Sequence, residues 1–212
     1  MSEFLCLFTT CSIFFAPFLL LILLSRRNTQ LKRFAAANGM VYEPGLFLFK
    51  GARAIGEEDG VRVRIRVQHN WYRHSTRRKR QTFAVTLYEA DLRGVIPPRL
   101  SFRRPGFMER SFRSAVKVGL EDVDTLLVIY APDAAVAHDF FLRPAVRRAA
   151  MELAGRDDST ECEAGILRIN HLFAPGGENQ IRQHLELIVW AAKMIRGDYD
   201  QPNQNRNQGQ AW

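Results

Sequence analysis

Val61-Arg62-Val63-Arg64-Ile65-Arg66-Val67, VRVRIRV, decides the fold of this chain. Every odd position is a branched aliphatic and every even one an arginine, which is the period of a strand with one face buried and the other in water. Asp59-Gly60 just ahead supplies turn chemistry, so a hairpin with Ala52 to Gly56 is expected. Downstream, past the basic stretch HNWYRHSTRRKR (69–80), Phe83, Val85 and Leu87 alternate with Thr82, Ala84, Thr86 and Tyr88. This predicts a second half-buried strand, so the basic stretch joins neighbours in one antiparallel sheet.

Working outward, Leu31, Phe34 and Ala35 recur at helical spacing before an Asn38-Gly39 stop, and Met40 to Glu43 reads as extended chain closed by Pro44-Gly45. Pro97-Pro98 and Arg104-Pro105-Gly106 mark irregular chain, and Asp124 to Tyr130 (DTLLVIY) reads as a more fully buried strand. Ala131-Pro132-Asp133 ends that strand and opens helical sequence. Pro144 is well placed as a first helical residue for a helix sharing Val146, Ala149, Ala150 and Leu153 on one face. Thr160 to Glu163 and Ile166 to Ile169 form a hairpin around Ala164-Gly165, and Ile181, Leu185, Ile188, Val189, Ala192 and Ile195 line a closing helix. The expected class is α+β, an antiparallel sheet packed on one face by helices. Residues 199–212 are polar, rich in Asn and Gln, and too poor in apolar groups to add to a core, so a disordered tail is expected.

Ahead of this domain, Phe4 to Leu24 (FLCLFTTCSIFFAPFLLLILL) runs without one charge, long enough as a helix to cross a hydrocarbon core of about 30 Å. Pro17 bends such a helix but is tolerated in membrane spans. A cleaved signal peptide fits less well: nothing basic precedes the run, and it ends in Ser25-Arg26-Arg27 without a small-residue cleavage site. Arg26, Arg27, Lys32 and Arg33 follow the run and none precedes it, so the expected topology is a single pass with the domain on the cytoplasmic side of the cell (inner) membrane. The organisation is then a transmembrane anchor with basic flank at 1–28, an α+β domain at 29–198 and the tail at 199–212. Cys6 and Cys11 lie within the apolar run and Cys162 stands alone, so no disulfide framework is readable.

The formal net charge is +8, but it is concentrated: Val61 to Lys117 holds 15 Lys and Arg against three acids (Glu89, Asp91, Glu109), leaving the rest of the chain net negative. On a strand alone such charge is as well read as a solvated face that blunts an exposed sheet, but like charges packed together repel unless an anion or a nearby acidic surface compensates. Arg62, Arg64 and Arg66 make a ladder on one strand face, extended by Arg73, Arg77, Arg78, Lys79 and Arg80 with Trp71 and Tyr72 among them; Arg103, Arg104, Arg110 and Arg113 lie near in sequence. Anionic lipid head groups come first, because a tether raises the local lipid concentration and the two aromatics suit an interface. An acidic protein surface, including this domain's own acids, comes second. Nucleic acid, which would use the arginines for phosphates and the aromatics for stacking, comes third, lacking any fold signature.

Chemistry is otherwise hard to find. The five histidines (69, 74, 138, 171 and 184) pair with no Cys or second His at zinc-site spacing, so no metal site is read. His138-Asp139 point apart on a helix, and Ala174-Pro175-Gly176-Gly177-Glu178 lacks the ending of a phosphate loop. No cofactor motif and no catalytic motif is present, leaving a non-catalytic interaction or accessory module as the reading. The alternatives are an enzyme whose site is assembled from distant positions, or a membrane-tethered nucleic-acid-binding protein. The order of ARAIGEEDGVRVRIRV, DTLLVIYAPDAA, LRPAVRRAAMEL and ECEAGILRI resembles uncharacterised bacterial single-pass membrane proteins with a small cytoplasmic α+β domain. The resemblance implies a fold and a topology, and no catalytic residue.

Overall fold

The computed structural model describes residues 29–45, 51–72, 81–105, 115–156, 159–171 and 177–198. The apolar run at 4–24, the basic residues 73–80 and the tail lie outside them. Among the described residues, no helix is long and apolar enough to cross a membrane.

Helix α1 (29–37) buries Leu31, Phe34 and Ala35 and stops at Asn38-Gly39. There Gly39 takes φ 65° and the Asn38 amide donates to the Phe34 carbonyl. Strands β1 (Val41–Glu43), β2 (Arg53–Glu58), β3 (Val61–Tyr72) and β4 (Gln81–Asp91) follow as an antiparallel meander. Asp59 and Gly60 both adopt positive φ, 50° and 76°, the geometry of the tight turn that Asp-Gly favours. The alternation in VRVRIRV is realised as read: Val61, Val63, Ile65 and Val67 are at most 4% exposed and join one core cluster.

Strand β5 (Ser101–Arg103), helix α2 (Glu121–Leu126), strand β6 (Val128–Tyr130), helices α3 (Ala134–Leu142) and α4 (Pro144–Ala154), strands β7 (Ser159–Glu163) and β8 (Ile166–His171) and helix α5 (Glu178–Arg196) complete the order. All eight strands form one sheet, β1-β2-β3-β4-β8-β7-β5-β6, in which every pairing is antiparallel. The fold is α+β, with an antiparallel sheet and helices. The core sits between α1, α4, α5 and one sheet face, where Tyr88, Ala90, Leu167, Ile169, Phe102 and Ile129 are buried with the β3 aliphatics. The Arg143 guanidinium, at the start of α4, donates to the Ile195 carbonyl near the end of α5 at 2.6 Å, so these two helices lie antiparallel.

Two expectations are corrected. The Asp124–Tyr130 strand is only three residues long, because Glu121 to Leu126 is helical. Glu121, Asp122 and Asp124 crowd that helix's first turn, where carboxylates are favoured, and the Asp124 carboxylate accepts the backbone N–H groups of Val118 and Gly119. Val85 and Leu87, expected as the apolar face of β4, point away from the helices. The core face carries Thr86, Tyr88 and Ala90 instead, opposite Val67, Ile65 and Val63. Both sets are buried, so hydrophobic alternation alone does not choose between them, and a shift of one residue exchanges the faces.

The β7–β8 turn places Gly165 at φ 72°, where an added Cβ would sit 2.9 Å from the Arg93 Cα, while the Gly165 carbonyl accepts the Leu92 N–H. Gly165→Ala is therefore expected to destabilise the domain by about 2 kcal/mol, combining left-handed strain with a backbone clash. Chemical denaturation measures it, and an unchanged midpoint would mean the turn re-forms elsewhere.

Candidate functional site

The sheet face opposite the helices carries nearly all of the charged residues that the strands supply. Reading across the register, Arg64, Glu89, Arg168, Glu161 and Arg103 lie side by side on β3, β4, β8, β7 and β5, alternating in sign at every step. Adjacent strands sit about 4.8 Å apart, within the reach of an arginine.

Glu89, second in this row, is buried at 2% exposed. Its carboxylate accepts from Arg64 Nε, from Arg66 Nη2 at 2.6 Å and from Arg168 Nε at 3.0 Å. Arg168 also reaches Glu161 at 3.3 Å and Glu163 at 3.9 Å. Burial by itself would raise the Glu89 carboxyl; the Arg64 hydrogen bond and the charges of Arg66 and Arg64 outweigh it, and the net direction is down. Flanking pairs repeat the pattern: Arg53 with Glu43 at 2.5 Å, and Arg62 in register with Glu57, its charge also acting on Asp91. The Arg93 hydrogen bonds hold the Asp91 carboxyl down at about 2.

The ladder residues therefore divide. Arg64 and Arg66 are committed to Glu89, with side chains 36% and 28% exposed. Arg62 is exposed, in register with Glu57 and with its charge felt by Asp91. Arg103 donates to the Tyr130 hydroxyl at 3.0 Å and lies over its ring, and Arg104 donates to the Arg156 carbonyl. Lys32 and Arg33 are exposed on α1. Trp71 and Tyr72 belong to the last residues of β3, and Gln81 opens β4. Arg73, Arg77, Arg78, Lys79, Arg80, Arg110, Arg113, Arg26 and Arg27 lie outside the described residues.

The β3–β4 ribbon outruns its neighbours. β2 pairs with β3 only as far as Arg66, and β8 pairs with β4 only from Thr86 onward. Gln68 to Tyr72 pair with Val85 to Gln81 and, among the described residues, with no other strand. Five residue pairs at about 3.3 Å each make an arm of about 16 Å. The segment 73–80, with its five basic residues, connects the far ends of its two strands.

Elsewhere the structure gathers groups that sequence spacing kept apart. His184, from the second turn of α5, stacks on the fully buried Tyr88 ring at 4.9 Å and meets His171 at 4.7 Å. Gln180 bonds His171 through its side-chain amide and His184 through its carbonyl. The His184 Nδ1–H is thereby the donor. These groups tie the start of α5 to β4 and β8. Among the described residues, no group of three or more His, Cys, Asp and Glu could hold a metal ion. His138 bonds the Val118 carbonyl at 2.6 Å, and burial pushes the Cys162 thiol up to about 12, far from a reactive thiolate.

No family model matches the chain, nor does any curated protein sequence. Among solved structures, the chain is similar to the crystal structure of the mycobacterial trehalose monomycolate transport factor A, TtfA. That likeness has 13% sequence identity and a TM-score of 0.48, over 80% of this chain and 94% of that chain. A likeness of this degree passes no residue role from one protein to the other.

Proposed function

We propose that this chain is a membrane-anchored, non-catalytic interaction module that presents the basic end of its β3–β4 arm to anionic lipid head groups. In this reading Phe4 to Leu24 is the anchor and the α+β domain lies on the cytoplasmic side, as the basic flank at Arg26, Arg27, Lys32 and Arg33 favours. The observation that carries it is the separation of two kinds of arginine. Those in the body of the sheet have acids of the same sheet beside them, whereas 73–80 holds five basic residues and no acid. The charge that calls for an outside partner is thus that of the arm.

A short tether also supports a membrane partner. Residues 25–28 separate the apolar run from α1, and four residues span at most about 14 Å, comparable to the arm itself. A two-stranded ribbon gains little stability alone, so an anionic surface that relieves repulsion among the basic side chains also steadies the arm. Each basic side chain near such a surface contributes about 1 kcal/mol, so Arg77, Arg78, Lys79 and Arg80 together shift the bound fraction strongly and in a salt-dependent way.

Trypsin tests this on the full chain in lipid nanodiscs. Cleavage at Arg77 to Arg80 is expected to slow when anionic lipid replaces neutral lipid and to recover at high salt. Equal cleavage in both lipids would contradict the lipid reading, and protection by an oligonucleotide instead would transfer the arm to nucleic acid.

A further inference from the structure

α4 and α5 pack on each other and leave an open groove of about 500 Å³ along their outer side. Its α4 wall carries Arg148 and Glu152, followed by Arg156; its α5 wall carries Gln183, Glu186, Leu187 and Trp190. Those four lie three, four and seven residues apart, the spacing of one helix stripe. Leu187 and Trp190 are only half-buried, while Ile188, Val189 and Ala191 beside them in sequence are fully buried. Leu187 and Trp190 pack against the edge of the core and keep the rest of their apolar surface in the groove, beside the exposed Gln183 and Glu186.

The charges are arranged unevenly. Glu152 is paired with Arg156 at 2.9 Å. Arg148 and Glu186 are both exposed, stand on opposite walls, and make no ion pair among the described residues. One unpaired cation on α4 and one unpaired anion on α5, with an aromatic side chain in the same groove, is a surface complementary to itself. Under a two-fold axis that brings two such grooves together, each Arg148 can meet the partner's Glu186, twice, with Trp190 and Leu187 between the two pairs. A foreign acidic or basic partner would match only one of the two charges. Tryptophan and arginine are also the side chains on which association energy concentrates.

We propose that the α4–α5 groove is the contact through which two copies of this chain associate. This does not depend on what the basic arm binds.

The experiment co-expresses the full chain under two different tags, purifies it in mild detergent on one tag, and measures recovery of the other. Native copies are expected to co-purify. Arg148→Glu on both copies, or Glu186→Arg on both copies, places like charges across the interface and is expected to cut recovery roughly 100-fold. Co-expressing an Arg148→Glu copy with a Glu186→Arg copy restores two opposite-charge pairs, and recovery is expected to return. Unfolded variants could not produce that rescue. Failure of native copies to co-purify, undiminished recovery with either single variant, or failure of the mixed pair to recover would each overturn the proposal.

Discussion

Glu89→Gln is expected to lower the stability of the domain by about 3 kcal/mol, the low end of what breaking a buried ionic group costs. The substitution keeps the shape of the side chain and removes the one charge on which Arg64, Arg66 and Arg168 converge. Three guanidinium groups are left facing one another across about two strand spacings. Their partial exposure, 36%, 28% and 23%, lets water compensate some of the loss, which sets the value at the low end. Replacing glutamate by an apolar residue together with all three arginines would be far milder, because no charge would then be stranded.

The same site predicts a pH dependence. The Glu89 carboxyl is lowered in the folded chain from its ordinary value of 4.5, so the unfolded chain takes up this proton first as pH falls. Its contribution is complete above pH 4.5 and is lost as the pH drops through the folded value. Urea titrations of the full chain in mild detergent at stepped pH are expected to show the native protein losing stability below that point. The Glu89→Gln variant should lose less over the same window. Parallel curves would show that the carboxylate is not what holds the arginines.

Phe141→Ala is the other large effect, about 3–5 kcal/mol for a fully enclosed aromatic. Phe141 is 0% exposed and meets Phe102 of β5 edge-on at 5.4 Å and Phe140 at 5.2 Å. It joins α3 to β5 at the far edge of the sheet, where β5 and β6 are each three residues long. Phe141→Leu keeps most of the volume and is expected to cost about 1 kcal/mol. Thermal melting separates the two. Equal shifts would mean that the edge-on ring geometry, and not the filled volume, dominates.

How much of this was legible in the sequence follows the range over which each signal acts. VRVRIRV, the Asp59-Gly60 and Ala164-Gly165 turns, Pro144 at the start of α4 and the apolar stripe of α5 are local patterns, and each forms the element expected of it. β5 gave no signal, since Ser101-Phe102-Arg103 is too short for a period and is held by β6 and β7 from distant parts of the chain. The facing of β4 was equally closed to inspection: Val85 and Leu87 compete with Tyr88 and Ala90 for the core, and the partners across the sheet decide. Glu89 was visible as one of three acids in a basic segment, but its meeting with Arg168, 79 residues away, is a product of strand order. His171 and His184 come together because α5, which follows β8 in the chain, packs back on β8 and β4. What spacing does show is where positive charge collects; which part of it is neutralised from within appears only once β8 lies beside β4.

In the membrane-anchored reading proposed above, the chain is held in a bilayer by its first two dozen residues. Alkaline carbonate extraction of membranes from cells producing the full chain tests it most directly, because it strips proteins bound by charge and spares those with a lipid-embedded helix. The chain is predicted to remain in the membrane pellet at its full length. Its release into the supernatant, or recovery of a form shortened at the amino terminus from a soluble fraction, would contradict the account.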